Sequence, residues 1–221
     1  MATPRAARQW KLVGGSLSLD FVNTVGGRRG ALIGVRRQPP DWGVIEERLA
    51  DYGDLLSWAE ASGALPPAAV GRLRSAAARE PARAARVVAR AVALREALFR
   101  IFAAVARRRS PARDDLHSLN RELRIARTNE QLAAQARAVT WVWAPRPLAL
   151  DRPLWVVARA ASDLLTSDAR DRVRQCAGDD CGWVFLDATR NHRRRWCDMR
   201  DCGNLAKVRR FRQRARRAVR A

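Results

Sequence analysis

The spacing of apolar positions changes along this chain, and the changes divide it into elements. Near the front, Leu17, Leu19 and Phe21 alternate with Ser18 and Asp20, which is the two-residue period of a strand. Gly14-Gly15 marks a turn before it; Gly26, Gly27 and Gly30, with Pro39 and Pro40, predict a loop after it. From Val44 to Ala61 the step lengthens. Ile45, Leu49, Tyr52, Leu55, Leu56 and Ala59 recur at three- and four-residue steps and predict a helix. A second helix is expected after Pro66-Pro67. The third is the strongest, because Val88, Ala91, Leu94, Leu98, Ile101, Phe102 and Val105 form one stripe, closed by Ser110-Pro111. Asp114 to Ala126 predicts a shorter helix. Val139 to Trp143 alternates again and is rich in strand formers, so a strand is expected there, a candidate partner for 17–22. Asp151 can cap a helix with Pro153 in its first turn, running to about Leu165. The polar stretch Thr166 to Asp171 places a domain boundary, giving units 1–167 and 172–221.

Charge changes the picture more than composition does. The 221 residues are 48% hydrophobic and 29% charged, as expected of a folded, soluble chain. The formal net charge is +21, far beyond the needs of a metabolic enzyme. Such a field attracts polyanions, with nucleic acid first and an acidic membrane surface second. Only Lys11 and Lys207 are lysines among 43 basic residues. GC-rich coding accounts for a preference of Arg over Lys, but not for the excess over 22 acids. Met1 to Trp10 is basic and lacks an apolar core segment, so it does not resemble a signal peptide. No run of about 18 apolar residues predicts a membrane span. A reducing cytoplasm is therefore expected, where four cysteines point to metal before disulfides.

Cys176, Cys181, Cys197 and Cys202 all fall in the last 46 residues, as C-x4-C, a fifteen-residue spacer, and C-x4-C. Two short cysteine pairs across a hairpin-length spacer can converge on one tetrahedral Zn²⁺. The spacer holds the strand-like Gly182 to Leu186, and the second pair opens a helix whose N-terminal dipole favours thiolates. Four thiolates leave no open position, so the expected zinc is structural and not catalytic. His192 is a candidate substitute ligand, weighed against a solvated or phosphate-facing role beside Arg193, Arg194 and Arg195. The expected fold class is mainly α with a small β component: a helical N-terminal domain plus a small zinc-bound hairpin and helix at the C-terminus.

Beyond Cys202 come Lys207, Arg209, Arg210, Arg212, Arg214, Arg216, Arg217 and Arg220, with no acid. Leu205, Val208, Phe211, Ala215 and Val219 step by three or four as a narrow apolar stripe, expected to pack on the zinc module. Arg209, Arg212, Arg216 and Arg220 run along one flank, and Lys207, Arg210, Arg214 and Arg217 along the other. A helix basic on both flanks suits a groove between two phosphate backbones. A solvated face or frayed tail is the competing reading. Base contacts are expected from Arg193 to Arg195 or the helix start.

At these residues the chain resembles a known family. Its end resembles the CGNR zinc finger, through R-x-C-x4-C-G-W-V-F-L-D, R-R-W-C-x4-C-G-N and A-K-V-R-R-F. Its front resembles the accompanying ABATE domain of bacterial stress-induced transcription regulators, through Leu17 to Thr24 and Ala158 to Ser167. The resemblance implies that the four cysteines hold zinc, that Cys202-Gly203-Asn204 is the signature turn, and that DNA is the partner. It also implies a front domain that senses a small ligand. Leu205 stands where the family has Arg, which either alters DNA affinity or extends the apolar stripe. A small residue allows a tight bend beside a metal ligand, and Asn can cap or bond a thiolate.

Asp20, Asn23 and Thr24 are polar residues inside an apolar stretch. They either tie strand, turn and loop together or line a ligand pocket with Trp58, Trp141 or Trp143. No Walker loop, dinucleotide fingerprint, nucleophile elbow or metal-hydrolase pair occurs, and His117 lacks an evident partner. The expected function is a zinc-dependent DNA-binding transcription regulator and not an enzyme. The expected partners are DNA, a small-molecule effector and a second copy, and no membrane. Two alternatives stay open: an RNA-binding or ribosome-associated protein, with Trp183 or Trp196 stacking on bases, and an enzyme with a pocket in the front domain.

Overall fold

The computed structural model describes residues 9–28, 43–144 and 149–218. The loop expected around Gly30, Pro39 and Pro40 lies outside them. Among the described residues, seven α-helices and four short strands make a mainly helical fold with a small antiparallel component. The spine is α4, Pro81–Ala106, 26 residues long. It is separated from α3, Pro67–Arg79, at Glu80, since the residue before a proline is pushed out of the helical region. Its apolar stripe is buried along its whole length, from Val87 to Phe102. Around it pack α2 (Tyr52–Ala61), α5 (Arg113–Arg127) and α6 (Arg152–Thr166). Among the described residues no helix is long and apolar enough to cross a membrane.

Three local expectations are overturned. Residues Leu17–Val22 form a short helix, α1, and not a strand. The alternation misled because it does not mark one wet and one dry face. Ser18 is as buried as Leu19 and Phe21, and α1 is wedged between α4, α6 and the zinc module. A six-residue helix buried nearly all round has no period to display. Accordingly β2, Ala138–Trp143, does not pair with 17–22; it pairs with β1, Glu130–Gln135, in an antiparallel hairpin. Finally, the helix expected over 44–61 begins only at Tyr52, where the Asp51 carboxylate caps the Asp54 N–H at 2.9 Å. Val44 and Glu47 instead bridge to Arg28 and Val25.

Those bridges are backed by a buried ionic network that has no local signal in the sequence. Arg95, 1% exposed, forks onto Glu47 at 2.6 and 2.7 Å and reaches Glu96 at 2.9 Å. Arg28, also 1% exposed, pairs with Glu96 at 2.5 Å and lies 3.8 Å over the Phe99 ring. Burial works against ionising Glu47 and Glu96, but the two guanidiniums outweigh it and hold both carboxyls below the usual glutamate range.

Candidate metal centre and nucleic-acid interface

Residues 173–203 are short of apolar mass, and their fold converges on sulfur. Strand β3, Val173–Gln175, pairs antiparallel with β4, Val184–Leu186. The hairpin turns through the Cys176–Cys181 knuckle. A π-type turn, Met199–Gly203, carries Cys202 and leads directly into α7, Asn204–Ala218. The Asp198 carboxylate caps that turn at the Arg200 N–H. The ligand atoms of Cys176, Cys181, Cys197 and Cys202 all lie within 4.8 Å of one another. Cys181 and Cys197 are 3.6 Å apart, Cys197 and Cys202 3.7 Å. A tetrahedral site with Zn–S near 2.3 Å has an edge of roughly 3.8 Å, which those two separations match, and the cluster as a whole is of a size to hold zinc. All four cysteines are unbridged. Hydrogen bonding among the crowded thiols, first from Cys181, pulls the Cys176 thiol far down, while Cys176 and its neighbours push Cys197 up.

The surroundings fit the same group. The Cys197 N–H points at the Cys176 sulfur, 3.3 Å away, the kind of donor that steadies a metal thiolate. A Cβ at Gly178 would lie 3.1 Å from the Cys181 Cβ and 3.3 Å from the Cys202 sulfur, so a larger residue would have to push the ligands by a few tenths of an ångström. A Cβ at Gly203 would come within 3.0 Å of Met199; the signature glycine permits a close approach. Asn204 bonds the Arg200 carbonyl at 2.9 Å and so braces the turn, not a thiolate. His192 is no ligand: its Nδ1 faces the Asp187 carbonyl at 3.2 Å. The zinc site is therefore the four cysteines.

The three arginines before Cys197 divide their roles. Arg194 is spent inside the module: its guanidinium bonds the Trp196 and Cys197 carbonyls and lies 4.5 Å over Phe185. Its own N–H bonds the Asp187 carboxylate at 2.8 Å. Arg193 and Arg195 are exposed.

Helix α7 leaves the module and runs into solvent. Lys207, Arg209, Arg210, Arg212, Arg214 and Arg216 are all exposed, and Arg209 pairs with Asp179 of the knuckle. The side chain of Arg217, with Val219 and Arg220, lies outside the described residues. The expectation that the apolar stripe packs on the zinc module is wrong. Leu205, Val208 and Phe211 are 57%, 46% and 74% exposed. The module is too small to cover a fifteen-residue helix, and only the root of α7 touches it. Between root and knuckle lies a cleft of about 540 Å³ whose lining includes Lys11, Arg48, Trp196, Arg209 and Arg210.

Of Asp20, Asn23 and Thr24, Asn23 reaches the same module, while Asp20 and Thr24 bond within the front segment. The Asn23 amide donates to the Val184 carbonyl at 2.9 Å and accepts the Val184 N–H at 3.0 Å, behaving as one more strand residue beside β4. Thr24 Oγ1 donates to the Phe21 carbonyl at 2.7 Å. The Asp20 carboxylate accepts the Gly14 N–H at 2.7 Å, although burial raises its pKa. Trp58 is in the core with its ring 5.1 Å from that of Phe21, Trp143 lies 5.9 Å from Trp155, and Trp141 is exposed. Sequence reasoning missed the rest of this strap. Gly14 O accepts from Leu186, Val25 O accepts from Trp183 at 3.1 Å, the Arg28 N–H donates to Asp180, and Lys11 pairs with Asp198 and Asp201.

Residues 172–215 match the CGNR zinc finger, and residues 15–168 match ABATE, a family described as "Putative stress-induced transcription regulator". No curated protein matches the chain. With the ABATE match spanning well over half its length, the chain belongs to the ABATE family, and it carries a CGNR zinc finger at its C-terminal end.

Proposed function

We propose that this protein is a zinc-dependent DNA-binding transcription regulator in which a helical unit of residues 1–167 carries a zinc unit of residues 172–221. The observation that carries the reading is α7: a solvent-exposed helix, anchored at one end by the metal turn, on which every charged residue from Lys207 to Arg216 is positive. A phosphate backbone on each side of a groove is the partner such a helix fits. Arg209, Arg210, Arg212, Arg214 and Arg216 are the main contacts, with Arg193 and Arg195 close enough in sequence to the zinc turn to assist. The alternative of RNA stacking keeps only one of its two tryptophans, since Trp183 is 7% exposed and bonded to Val25, while Trp196 is half-buried at the edge of the cleft. Asn23 is assigned here to holding the module, and Asp20 and Thr24 to bracing the turns on either side of α1, rather than to a ligand.

A titration of duplex DNA by fluorescence anisotropy over a salt series tests this. Neutralising roughly five phosphates gives a slope of log K against log[salt] of about −4 to −5. Replacing Arg209, Arg212 and Arg216 by Ala should cut the slope by about 2–3 and weaken all sequences alike. A chain ending after Asn204 that binds as tightly as the full chain would show that α7 is a solvated tail.

A further inference from the structure

Helix α7 is amphipathic the wrong way round for a helix resting on its own protein. At about 100° per residue, Ala206, Arg209, Arg210 and Gln213 share one arc roughly 100° wide, and all four line the cleft beside the zinc knuckle, with Leu205 at the margin of that arc. Val208, Phe211 and Ala215 form an arc whose centre lies about 180° from that one; all three are exposed, Phe211 at 74%. Arg212 and Arg216 fall about 90° to one side of this apolar arc, and Lys207 and Arg214 about 80° to the other. The mostly polar arc thus faces the cleft, and an apolar strip walled by cations faces outward.

What can cover that strip is limited by its walls. A second copy of α7 would set cation against cation along both edges, where a helical pair needs opposite charges. An anionic bilayer would take the cations, but an interfacial helix needs a broader apolar face than one Val, one Phe and one Ala. A polyanion with an apolar floor between two charged walls matches both features. In the major groove of duplex DNA the phosphates form the walls, and the floor carries the C5-methyl groups of thymine, the apolar mark of that base. The groove is about 12 Å wide and an α-helix with its side chains about 10–12 Å across.

We infer that Val208, Phe211 and Ala215 are the base-reading face of α7 and recognise thymine methyl groups, while Arg212 and Arg216 on one side and Lys207 and Arg214 on the other hold the two phosphate walls. This rests on the reading that α7 binds duplex DNA. It places sequence discrimination on apolar side chains that carry no charge, and leaves the arginines to supply strength.

The test compares an alternating dA–dT duplex with the same duplex containing deoxyuridine in place of thymidine, which removes only the methyl groups. With the full-length zinc-loaded protein, binding to the uracil duplex should be weaker by about fourfold for each methyl contacted, equivalent to about 0.8 kcal/mol per buried carbon. Phe211→Ala and Val208→Ala should remove most of that difference while leaving the salt slope unchanged, because the phosphate contacts are intact. Both side chains are solvent-exposed, so circular dichroism of the variants should match the parent. Equal binding to the two duplexes with a steep salt slope overturns the inference and leaves the phosphate reading standing. No binding to either duplex overturns both. Binding to phosphatidylserine vesicles that Phe211→Ala abolishes, without discrimination between thymine and uracil, would show the strip to be a membrane-docking face and also overturns it.

Discussion

The helical body and the zinc module are held together by opposite means. The body buries a continuous apolar cluster from Leu19 and Phe21 through Trp58 and α4 to Leu154 and Leu164, the ordinary source of stability for a domain of its size. The module has one small cluster of its own, in which Cys176, Trp183, Phe185 and Cys197 are joined by Val25 from the front of the chain. Its remaining mass is polar and its centre is sulfur. Yet the two are not independent, since Val173 and Val184 of the module's hairpin belong to the large cluster of the body. A module too small to stand on hydrophobic burial uses a metal at one side and a borrowed core at the other.

Removing the metal should break this contrast most strongly. Structural zinc contributes on the order of 10–16 kcal/mol in finger peptides. Chelation, or Cys197→Ser, should therefore unfold residues 176–203 and lower the melting temperature of the helical body, which loses Val184 from its core but keeps α4. Calorimetry of zinc-loaded and chelated protein, with far-ultraviolet circular dichroism, reads both effects. An unchanged melting profile after complete chelation would mean that the module stands without metal.

The strap comes next. Asn23→Ala leaves the Val184 N–H and carbonyl, both buried, without their partner. An unmet buried backbone group costs about 1–3 kcal/mol, so a loss of roughly 2–4 kcal/mol is expected in zinc-loaded protein by denaturant titration. A full-stability Asn23→Ala variant that fails only in binding a small molecule would restore the pocket reading of this residue.

Acid should produce the smallest of the three effects and act on the body. The carboxyls of Glu47 and Glu96 are held below the usual range by Arg95 and Arg28. Groups depressed in the folded state stabilise it fully above their unfolded pKa, near 4.5, and lose that contribution as pH falls through the depressed values. The melting temperature should be flat from neutral pH to about 5 and fall below about 4. Glu47→Gln should lower the neutral plateau and flatten the fall. Because acid also protonates the cysteines, the difference between variant and parent is the quantity to follow.

How much of this was legible follows one rule. The zinc tetrad was readable because ligand identity and spacing are local in the chain, and the geometry only had to bring the pairs together. Helices α3 to α6 were readable because ten or more residues are enough to display a 3.6-residue period against one buried face. Where burial comes from every side, as at Ser18 and Leu19 in α1, the period vanishes and the two-residue alternation suggested a strand that does not exist. The strand β1, Glu130–Gln135, was not anticipated because its sequence is weak in strand formers; its pairing with β2 fixes it.

The sequence by itself determined the metal, the positive helix beyond it and the helical character of the body, since each depends on residue types at short separations. Only the tertiary structure decided what Asn23 is for and which way α7 faces. Asn23 meets Val184 across 161 residues of chain, and no local pattern encodes that meeting. A helical wheel shows that Val208, Phe211 and Ala215 share a side, but whether that side is covered depends on the size of the module at the helix root. Here the module is small and touches only the root of α7, so the apolar side is left to the solvent.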